Sequence, residues 1–349
     1  MANLSRVSDV TRKLAEILGI GIVALILLMI LFRVGTFVKE LISPTPPKAP
    51  TVAFGKLPVL SFPKNFDNKT YSYTINTLSG SLPTLPDRIT VYKLQQPAPN
   101  LLGLDKAKSI AAEAGFTDQP TPISDTEYRW LASDPFPSML TMDIQSFDFT
   151  YTSDYRNNPT VVQALHVPDG TTAQTVSKAF FAKIIPLPDS IDDSKTKTTL
   201  FAISPSGLSP ASSLSTAQII RVDYFPKSID NIPVYTANPD KSLFYTLVAS
   251  GDTDFPQVVE AQYYHKDPTK NTATYPILSV QQAYADLQQG KGYVAANPTG
   301  DTSITITDVS LGYYVDATSQ QYLWPIIVFQ GDKGFYAYVS AVSSDWIQK

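Results

Sequence analysis

The longest uninterrupted apolar stretch of the chain runs from Ile17 to Phe32 and contains no charged residue and no proline. At about 1.5 Å per residue it falls short of the roughly 30 Å hydrocarbon core of a bilayer. Extension to Val38 gives sufficient length, provided that Arg33 reaches the membrane interface. The pattern therefore predicts a transmembrane helix over Ile17–Val38. A cleaved signal peptide and a buried core helix are the alternatives, although no A-x-A cleavage pattern follows the stretch.

The basic residues beside this stretch predict its orientation. More of them precede it than follow it: Arg6, Arg12 and Lys13 against Arg33 and Lys39. Because cytoplasmic flanks carry the excess of Lys and Arg, we expect residues 1–16 to form a cytoplasmic tail. The predicted localisation is the cell membrane, with a single pass, the lipid bilayer as a partner through Ile17–Val38, and the bulk of the chain extracytoplasmic.

A proline-dense segment, Ser43–Phe66, follows the apolar stretch. Proline fixes the backbone in extended conformations, so residues 39–66 are predicted to form a semi-rigid stalk. A linker with no further role is the alternative.

Beyond the stalk, apolar and polar residues alternate in runs that are rich in β-branched and aromatic side chains. Each such run predicts a strand. The predicted strands are Tyr71–Leu78, Arg88–Leu94, Tyr128–Leu131, Leu140–Ile144, Phe147–Thr152, Thr198–Ser204, Gln218–Phe225, Leu243–Ala249, Val258–Tyr264, Ser303–Val315, Tyr322–Phe329 and Phe335–Val342. We also expect a bulge at Asp308, where the alternation changes phase, and an edge or bulge at Pro325.

Three stretches have helical spacing of their apolar residues. The first is Leu104–Ala114, and Gly115 ends it. The second begins at a Thr171–Gln174 capping box. The third begins at a Ser279–Gln282 capping box, and Gly290 ends it. Strands follow each helix. The pattern predicts an α+β fold, with a single N-terminal transmembrane helix and two or three units of one helix on an antiparallel sheet. The predicted units are 67–168, 169–268 and 269–349.

Composition narrows the possible functions. The chain has 27 basic and 31 acidic residues. The first 50 positions hold six of the basic and three of the acidic residues, so the rest of the chain holds 21 basic and 28 acidic residues and has a formal charge of −7. An acidic body argues against a nucleic-acid partner. The absence of cysteine excludes disulfides, thiolate metal sites and cysteine nucleophiles.

The chain lacks the motifs that identify common catalytic sites. It has no G-x-S-x-G, Walker A or G-x-G-x-x-G sequence, and its two histidines, His166 and His265, are too far apart for a zinc-binding H-E-x-x-H helix. We expect both histidines to be solvated surface residues. Acidic clusters at Asp189–Asp193 and Asp252–Asp254 are interpreted as turn composition rather than as glycosidase or calcium sites. No catalytic, cofactor or metal residue is therefore assigned.

Tyrosines near the ends of predicted strands form one candidate for a partner-binding surface, because rigid aromatic rings add contact area at low entropic cost. These residues are Tyr151, Tyr155, Tyr263, Tyr264, Tyr313 and Tyr314. The alternative is that half of each pair is core, as alternation along a strand requires.

The C-terminal part carries a family resemblance. Its residues are Ser279, Ala283 and Leu287 in the helix, Leu311, Gly312, Tyr313 and Tyr314 in the first strand, and Pro325, Phe329, Tyr338, Val339 and Ala341 in the strands that follow. This pattern resembles PepSY-like modules, and most of all the YycH/YycI-type membrane-anchored extracytoplasmic regulatory proteins; Leu104–Thr152 looks like a diverged copy. The resemblance implies a non-enzymatic protein that binds another envelope protein, such as a sensor kinase, or inhibits a protease.

The sequence therefore predicts a membrane-anchored protein that binds another envelope protein and regulates or scaffolds it. Two alternatives remain: a carboxylate-dependent envelope hydrolase, and a passive structural surface protein.

Overall fold

The computed structural model describes residues 18, 21–22, 24–35, 49–64, 69–133, 137–164, 167–250 and 257–348. The chain divides into two compact units, Met1–Ala49 and Pro50–Lys349.

In the first unit, the described residues between 18 and 35 are helical and their large apolar side chains are exposed. No helix within the described residues is both long enough and apolar enough to cross a membrane. This finding overturns the predicted transmembrane helix at Ile17–Val38 and the single-pass localisation that rested on it. Residues 1–17 and 36–48, which include the predicted tail and the start of the stalk, lie outside the described residues.

A nine-stranded antiparallel sheet, called sheet 1, forms one part of the second unit. Its strands in spatial order are β3 (Thr121–Pro122), β4 (Glu127–Ala132), β5 (Ser138–Asp143), β6 (Phe149–Ser153), β12 (Gln257–Tyr263), β11 (Phe244–Ala249), β9 (Ile219–Tyr224), β7 (Lys197–Ser204) and β8 (Gly207–Pro210). The pairing of β6 with β12 joins two segments that are distant in sequence.

An eight-stranded sheet, called sheet 2, forms the other part. Its main path is β1 (Ser72–Ile75), β15 (Ser303–Tyr314), β16 (Tyr322–Gly331), β17 (Tyr336–Ser340) and β14 (Tyr293–Ala296), with β10 (Val234–Tyr235) on β15 and with β2 (Arg88–Leu94) and β13 (Pro268–Pro276) beyond β16. Strands β1 and β10 run parallel to β15, and the other pairs are antiparallel.

The helices of the second unit are α1 (Gly103–Glu113), α2 (Pro159–Val162), α3 (Gly170–Ile184) and α4 (Val280–Gln288). Helices α1 and α3 pack on one face of sheet 1, where Ala107 and Phe181 are fully buried. The short helix α2 covers part of the opposite face through Val161. Helix α4 packs on sheet 2 through Val280, Ala283 and Leu287.

The three longer helices begin close to their predicted positions. The Ser279–Gln282 capping box is confirmed, with Ser279 Oγ 3.2 Å from the backbone nitrogen of Gln282. The Thr171–Gln174 box is wrong, because Asp169 is the N-cap of α3 and its Oδ1 lies 2.8 Å from the backbone nitrogen of Thr172.

The predicted fold class needs correction. Strands in two large sheets dominate the described residues, and none of the described helices is long and apolar enough to cross a membrane. Pairing also crosses the predicted unit boundaries: β6 with β12 joins 67–168 to 169–268, and β1 with β15 joins 67–168 to 269–349. Local alternation identifies a strand but not its neighbour, which is why the sequence suggested separate α+β units.

The described part of the predicted stalk packs against sheet 2. Leu57 is fully buried there, and the ring of Phe62 stacks on that of Tyr293 at a centroid distance of 5.2 Å. The aromatic and aliphatic residues between the prolines therefore form part of the core of the second unit, and residues 50–64 are not a free stalk.

All twelve predicted strands have a counterpart, and the bulge at Asp308 is confirmed by a register shift between β15 and β16. Pro325, however, lies at neither an edge nor a bulge. It sits where β16 changes its neighbour from β2, paired at Tyr322 and Leu323, to β17, paired from Ile326 onward. The missing N–H of proline therefore coincides with the change of partner.

Candidate functional site

Four described segments connect the two sheets: residues 95–102, 225–233, 236–243 and 264–267. Beside two of them lies a cleft of about 510 Å³, called the inter-sheet cleft. One wall comes from sheet 1 and its β5–β6 turn, and the other from the β15–β16 loop and residues 95–98. Its polar lining includes Gln96, Glu127, Asp143, Asp148, His265 and Asp267.

The β5–β6 turn is held by the side chain of Asp143. Its Oδ1 accepts hydrogen bonds from the backbone nitrogens of Gln145 at 2.9 Å and Ser146 at 2.8 Å. Burial would raise the pKa of Asp143, but these bonds and one from Thr126 outweigh burial and lower it. The turn also places Phe147 in the left-handed region, at φ 61°. This conformation sets the direction of the next residue, Asp148.

Asp148 connects the turn to the segment that crosses to sheet 2. The residue is 8% exposed, and its Oδ1 accepts a hydrogen bond from the backbone nitrogen of His265 at 2.8 Å. Its Oδ2 lies 3.6 Å from Nζ of Lys266. Burial raises the pKa of Asp148, and the His265 N–H and the Lys266 ammonium oppose that shift only in part.

The imidazole of His265 lies next to a second carboxylate. Its Nε2 is 2.9 Å from Oδ1 of Asp267, yet the ring is not oriented for a hydrogen bond. Nε2 is buried and has no hydrogen-bond partner among the described residues. The ring packs edge-on against Phe244, with centroids 5.9 Å apart. His265 is thus a half-buried residue between the sheets, and its predicted role as a solvated surface histidine is wrong.

Carboxylates outnumber cations around the cleft. Glu127, Asp143, Asp148 and Asp267 line it, whereas Lys266 is the ammonium group among its lining residues. Amides and hydroxyls supply further donors and acceptors. Such a surface can bind the polar groups of a partner. Within the described residues, no cluster of three or more His, Asp or Glu side chains could hold a metal ion.

Two adjacent leucines lie a few residues beyond the cleft wall formed by residues 95–98. Leu101 is 103% exposed and Leu102 is 69% exposed. A turn at Asn100 presents them: its Oδ1 accepts a hydrogen bond from the backbone nitrogen of Leu102 at 3.0 Å. The following Gly103 permits close approach to the β5–β6 turn, since a Cβ there would lie 2.4 Å from the carbonyl oxygen of Ile144.

The structure separates the six predicted tyrosines. Four of them are buried and belong to the core: Tyr155, Tyr263, Tyr313 and Tyr314. Tyr151 packs against the core of sheet 1, and Tyr264 lines the inter-sheet cleft. The six therefore do not form one exposed face. Contact of Tyr151 or Tyr264 with a partner stays a prediction.

The interpretation of Asp189–Asp193 as turn composition is confirmed. Asp192 caps a short 3-10 helix by accepting a hydrogen bond from the backbone nitrogen of Ser194 at 3.1 Å. Asp193 pairs with Lys178 at 2.8 Å on the surface. His166 and the Asp252–Asp254 cluster lie outside the described residues.

Sequence reasoning missed Asp148 and the leucine pair. Asp148 lies between aromatic residues in a predicted strand, and nothing local indicates its bond to a residue far along the chain. Leu101 and Leu102 could have been noticed as apolar residues in a Pro/Asn-rich connection that breaks both strand and helix spacing.

Comparison with known proteins finds a likeness among solved structures alone. No protein-family model matches the chain, and no curated protein matches it. Among solved structures, the chain is similar to an uncharacterised protein from Eubacterium rectale, with 10% identity, a TM-score of 0.36, and coverage of 79% of this chain and 90% of that one. It is also similar to the YpeB C-terminal domain of Bacillus megaterium, with 11% identity, a TM-score of 0.32, and coverage of 71% and 95%. At TM-scores below 0.5, neither likeness assigns a family or a function to this chain.

Proposed function

We propose that this chain is a non-enzymatic protein that binds another protein and regulates or scaffolds it, through the inter-sheet cleft and the neighbouring leucine pair. The observation that carries the proposal is the exposure of Leu101 and Leu102 close to a polar, acidic cleft. Single exposed leucines are common on protein surfaces, but an adjacent pair beside a concave polar surface has the composition of an interface.

The energetics favour use of this surface. Burial of a leucine side chain contributes about 1.5–3 kcal/mol relative to exposure, so a partner that covers both leucines gains a central apolar contact. The carboxylates and amides of the cleft then determine which partner fits, because unmatched charges at an interface are costly. The resemblance of residues 279–341 to PepSY-like regulators also supports a binding role rather than a catalytic one.

Photo-crosslinking in the native cell tests the proposal. A benzophenone amino acid replaces Leu101 in the full chain, and a second version of the chain carries it at Leu78. Leu78 is the matched control because it is equally exposed, at 107%, but lies away from the cleft. It follows β1, which pairs with the first residues of β15, whereas the cleft is lined by residues that follow the last residue of β15.

One dominant protein crosslinked from position 101 and absent from position 78 is the expected result. Its loss in the Glu127→Gln/Asp267→Asn double variant would place the contact at the cleft. Equal labelling from both positions, or crosslinks only to other copies of this chain, would contradict the proposal. A change in the activity of the captured protein when the purified chain is added would identify regulation, and no change would favour scaffolding.

A carboxylate-dependent hydrolase is a second candidate. The observation that favours it is Asp148, a buried carboxyl group with a raised pKa that shares the cleft with Asp143 and Asp267. Against it, both oxygens of Asp148 already face groups of the protein, the N–H of His265 and the ammonium of Lys266. Glycan hydrolysis by the purified chain that is lost in Asp148→Asn, with the fold retained, would favour the enzyme.

A further inference from the structure

The charged side chains of the inter-sheet cleft are unevenly paired. Lys266 is the ammonium group among the lining residues, and its Nζ lies 3.6 Å from Oδ2 of Asp148. The other three carboxylates of the lining, Glu127, Asp143 and Asp267, form no ion pair with a lysine or arginine among the described residues. The cleft therefore holds negative charge that the rest of the described chain does not neutralise.

The amide donors beside these carboxylates are used within the protein. Nε2 of Gln96 donates to the carbonyl oxygens of Leu94 at 3.3 Å and of Gln320 at 3.1 Å. Nε2 of Gln320 donates to the carbonyl oxygen of Tyr314 at 3.0 Å. These bonds join residues 95–98 to the β15–β16 loop, so they fix the wall of the cleft. The ionised carboxylates opposite this wall accept hydrogen bonds and donate none, so a ligand has to supply the donors.

The shape of the cleft limits how a partner can reach the carboxylates. A volume of about 510 Å³ accommodates a few side chains, as small-ligand sites of this size do, but not a folded domain. The carboxylate of Asp267 is accessible, since its side chain is 54% exposed. The exposed pair Leu101 and Leu102 follows the cleft wall at residues 95–98 and offers an apolar contact. An extended segment with long basic side chains and a neighbouring apolar residue matches both features.

We propose that the occupant of the inter-sheet cleft is an extended basic segment of a partner protein. Its lysine or arginine side chains enter the cleft, and an apolar residue beside them covers Leu101 and Leu102. This inference rests on the proposed function and names the chemistry of the partner. Lysine and arginine carry donors and no acceptor, so they complement the unpaired carboxylates, whereas an acidic segment would be repelled.

Selection from a random library of short peptides displayed on phage, with the full chain as bait, tests the proposal. Selected clones are sorted by their binding to two variants that lose the same charge. Glu127→Gln/Asp267→Asn removes carboxylates of the cleft, and Asp118→Asn/Asp345→Asn, the matched control, removes exposed carboxylates that do not line it. Peptides that bind the control but not the cleft variant should carry lysine or arginine beside an apolar residue.

Calorimetric titration with one selected peptide gives the magnitude. Its Kd should rise about tenfold or more for the Glu127→Gln/Asp267→Asn variant, because charge-assisted hydrogen bonds are lost. Glutamine in place of the basic residues of the peptide should raise the Kd for the wild-type chain by a similar factor. The control variant should leave the Kd within about twofold of the wild-type value, as expected of distant surface charges.

The proposal would be overturned by cleft-dependent peptides that lack basic residues, or by a library that yields no peptide dependent on the cleft. If the cleft variant does not fold, the glutamine-substituted peptide decides: its undiminished binding to the wild-type chain contradicts the proposal. Photo-crosslinking gives a separate result. A partner captured from position 101 whose crosslinked segment is acidic or wholly apolar would uphold the proposed function and reject this inference.

Discussion

The carboxylate of Asp148 accepts a hydrogen bond from the backbone N–H of His265, 117 residues further along the chain, at 2.8 Å. The bond ties the β5–β6 turn to the segment that leaves β12 for sheet 2. Because the bond is partly buried and Asp148 itself is only 8% exposed, its loss leaves a donor without a protein acceptor, and this consequence can be measured.

Replacement of Asp148 should therefore destabilise the protein. Asp148→Ala removes the acceptor and should lower the free energy of unfolding by about 1–3 kcal/mol. Asp148→Asn keeps a carbonyl oxygen and should lower it less. Asp118, which is exposed, provides the control, and Asp118→Ala should change the free energy of unfolding by less than about 0.5 kcal/mol. Urea denaturation gives all three values, and equal effects of Asp148→Ala and Asp118→Ala would contradict the structural role.

The same carboxyl group should make stability depend on pH. The folded pKa of Asp148 is raised, so between the unfolded value of about 3.9 and the higher folded value the folded state alone holds the proton. The contribution of Asp148 is therefore fully present below about pH 3.9 and is lost as pH rises through the folded pKa. The difference in unfolding free energy between wild type and Asp148→Asn should fall as pH rises through this range.

Asp143 provides the opposite case for comparison. Its folded pKa is lowered, so its contribution is present above the unfolded pKa of about 3.9 and is lost as pH falls through the folded value. The difference in the free energy of unfolding between wild type and Asp143→Asn should therefore rise with pH. Denaturation curves across this pH range measure both differences, and the same sign of slope for the two residues would show that one assignment is wrong.

Gly103 should tolerate no side chain. A Cβ at this first residue of α1 would lie 2.4 Å from the carbonyl oxygen of Ile144. The backbone at one of the two residues would have to shift to make room for the added methyl group. We expect Gly103→Ala to lower the free energy of unfolding by about 1–3 kcal/mol. Gly170, the first residue of α3, is the matched control: a Cβ there meets nothing closer than the Thr198 hydroxyl at 3.4 Å. Gly170→Ala should be neutral or slightly stabilising, and equal losses at both sites would refute the steric argument.

Two tyrosines in sheet 2 should respond in opposite ways to loss of their hydroxyl. The hydroxyl of Tyr338 is buried and has no hydrogen-bond partner among the described residues, whereas that of Tyr313 donates to the carbonyl of Thr90 at 2.7 Å. Tyr338→Phe should raise the free energy of unfolding by up to about 1 kcal/mol, and Tyr313→Phe should lower it by about 1 kcal/mol. Thermal and urea unfolding of the two variants are the measurements, and a loss of stability in Tyr338→Phe would contradict this account.

The sequence predicted individual elements well, because their signals are local. Alternation marked twelve strands, and the capping box at Ser279 marked the start of α4. Strand β13 was missed since prolines bound it and its central residues are exposed, which is the composition of a turn.

Pairing and burial could not be predicted in the same way. The β6–β12 pair joins segments that only the folded chain brings together, and so does the contact of Asp148 with His265. The local sequence also does not show which of the six candidate tyrosines are buried, because their burial depends on strands that are distant along the chain. The N-terminal apolar stretch was predicted as a membrane span from its composition, which specifies neither the length nor the position of a helix.

Residues 264–267 line the inter-sheet cleft and also a second, mostly apolar cavity of about 230 Å³. The two recesses therefore share part of their walls. If an occupant of the second cavity changed the affinity of the cleft for a partner, thermodynamic linkage would require that partner to change the affinity of the second cavity by the same factor.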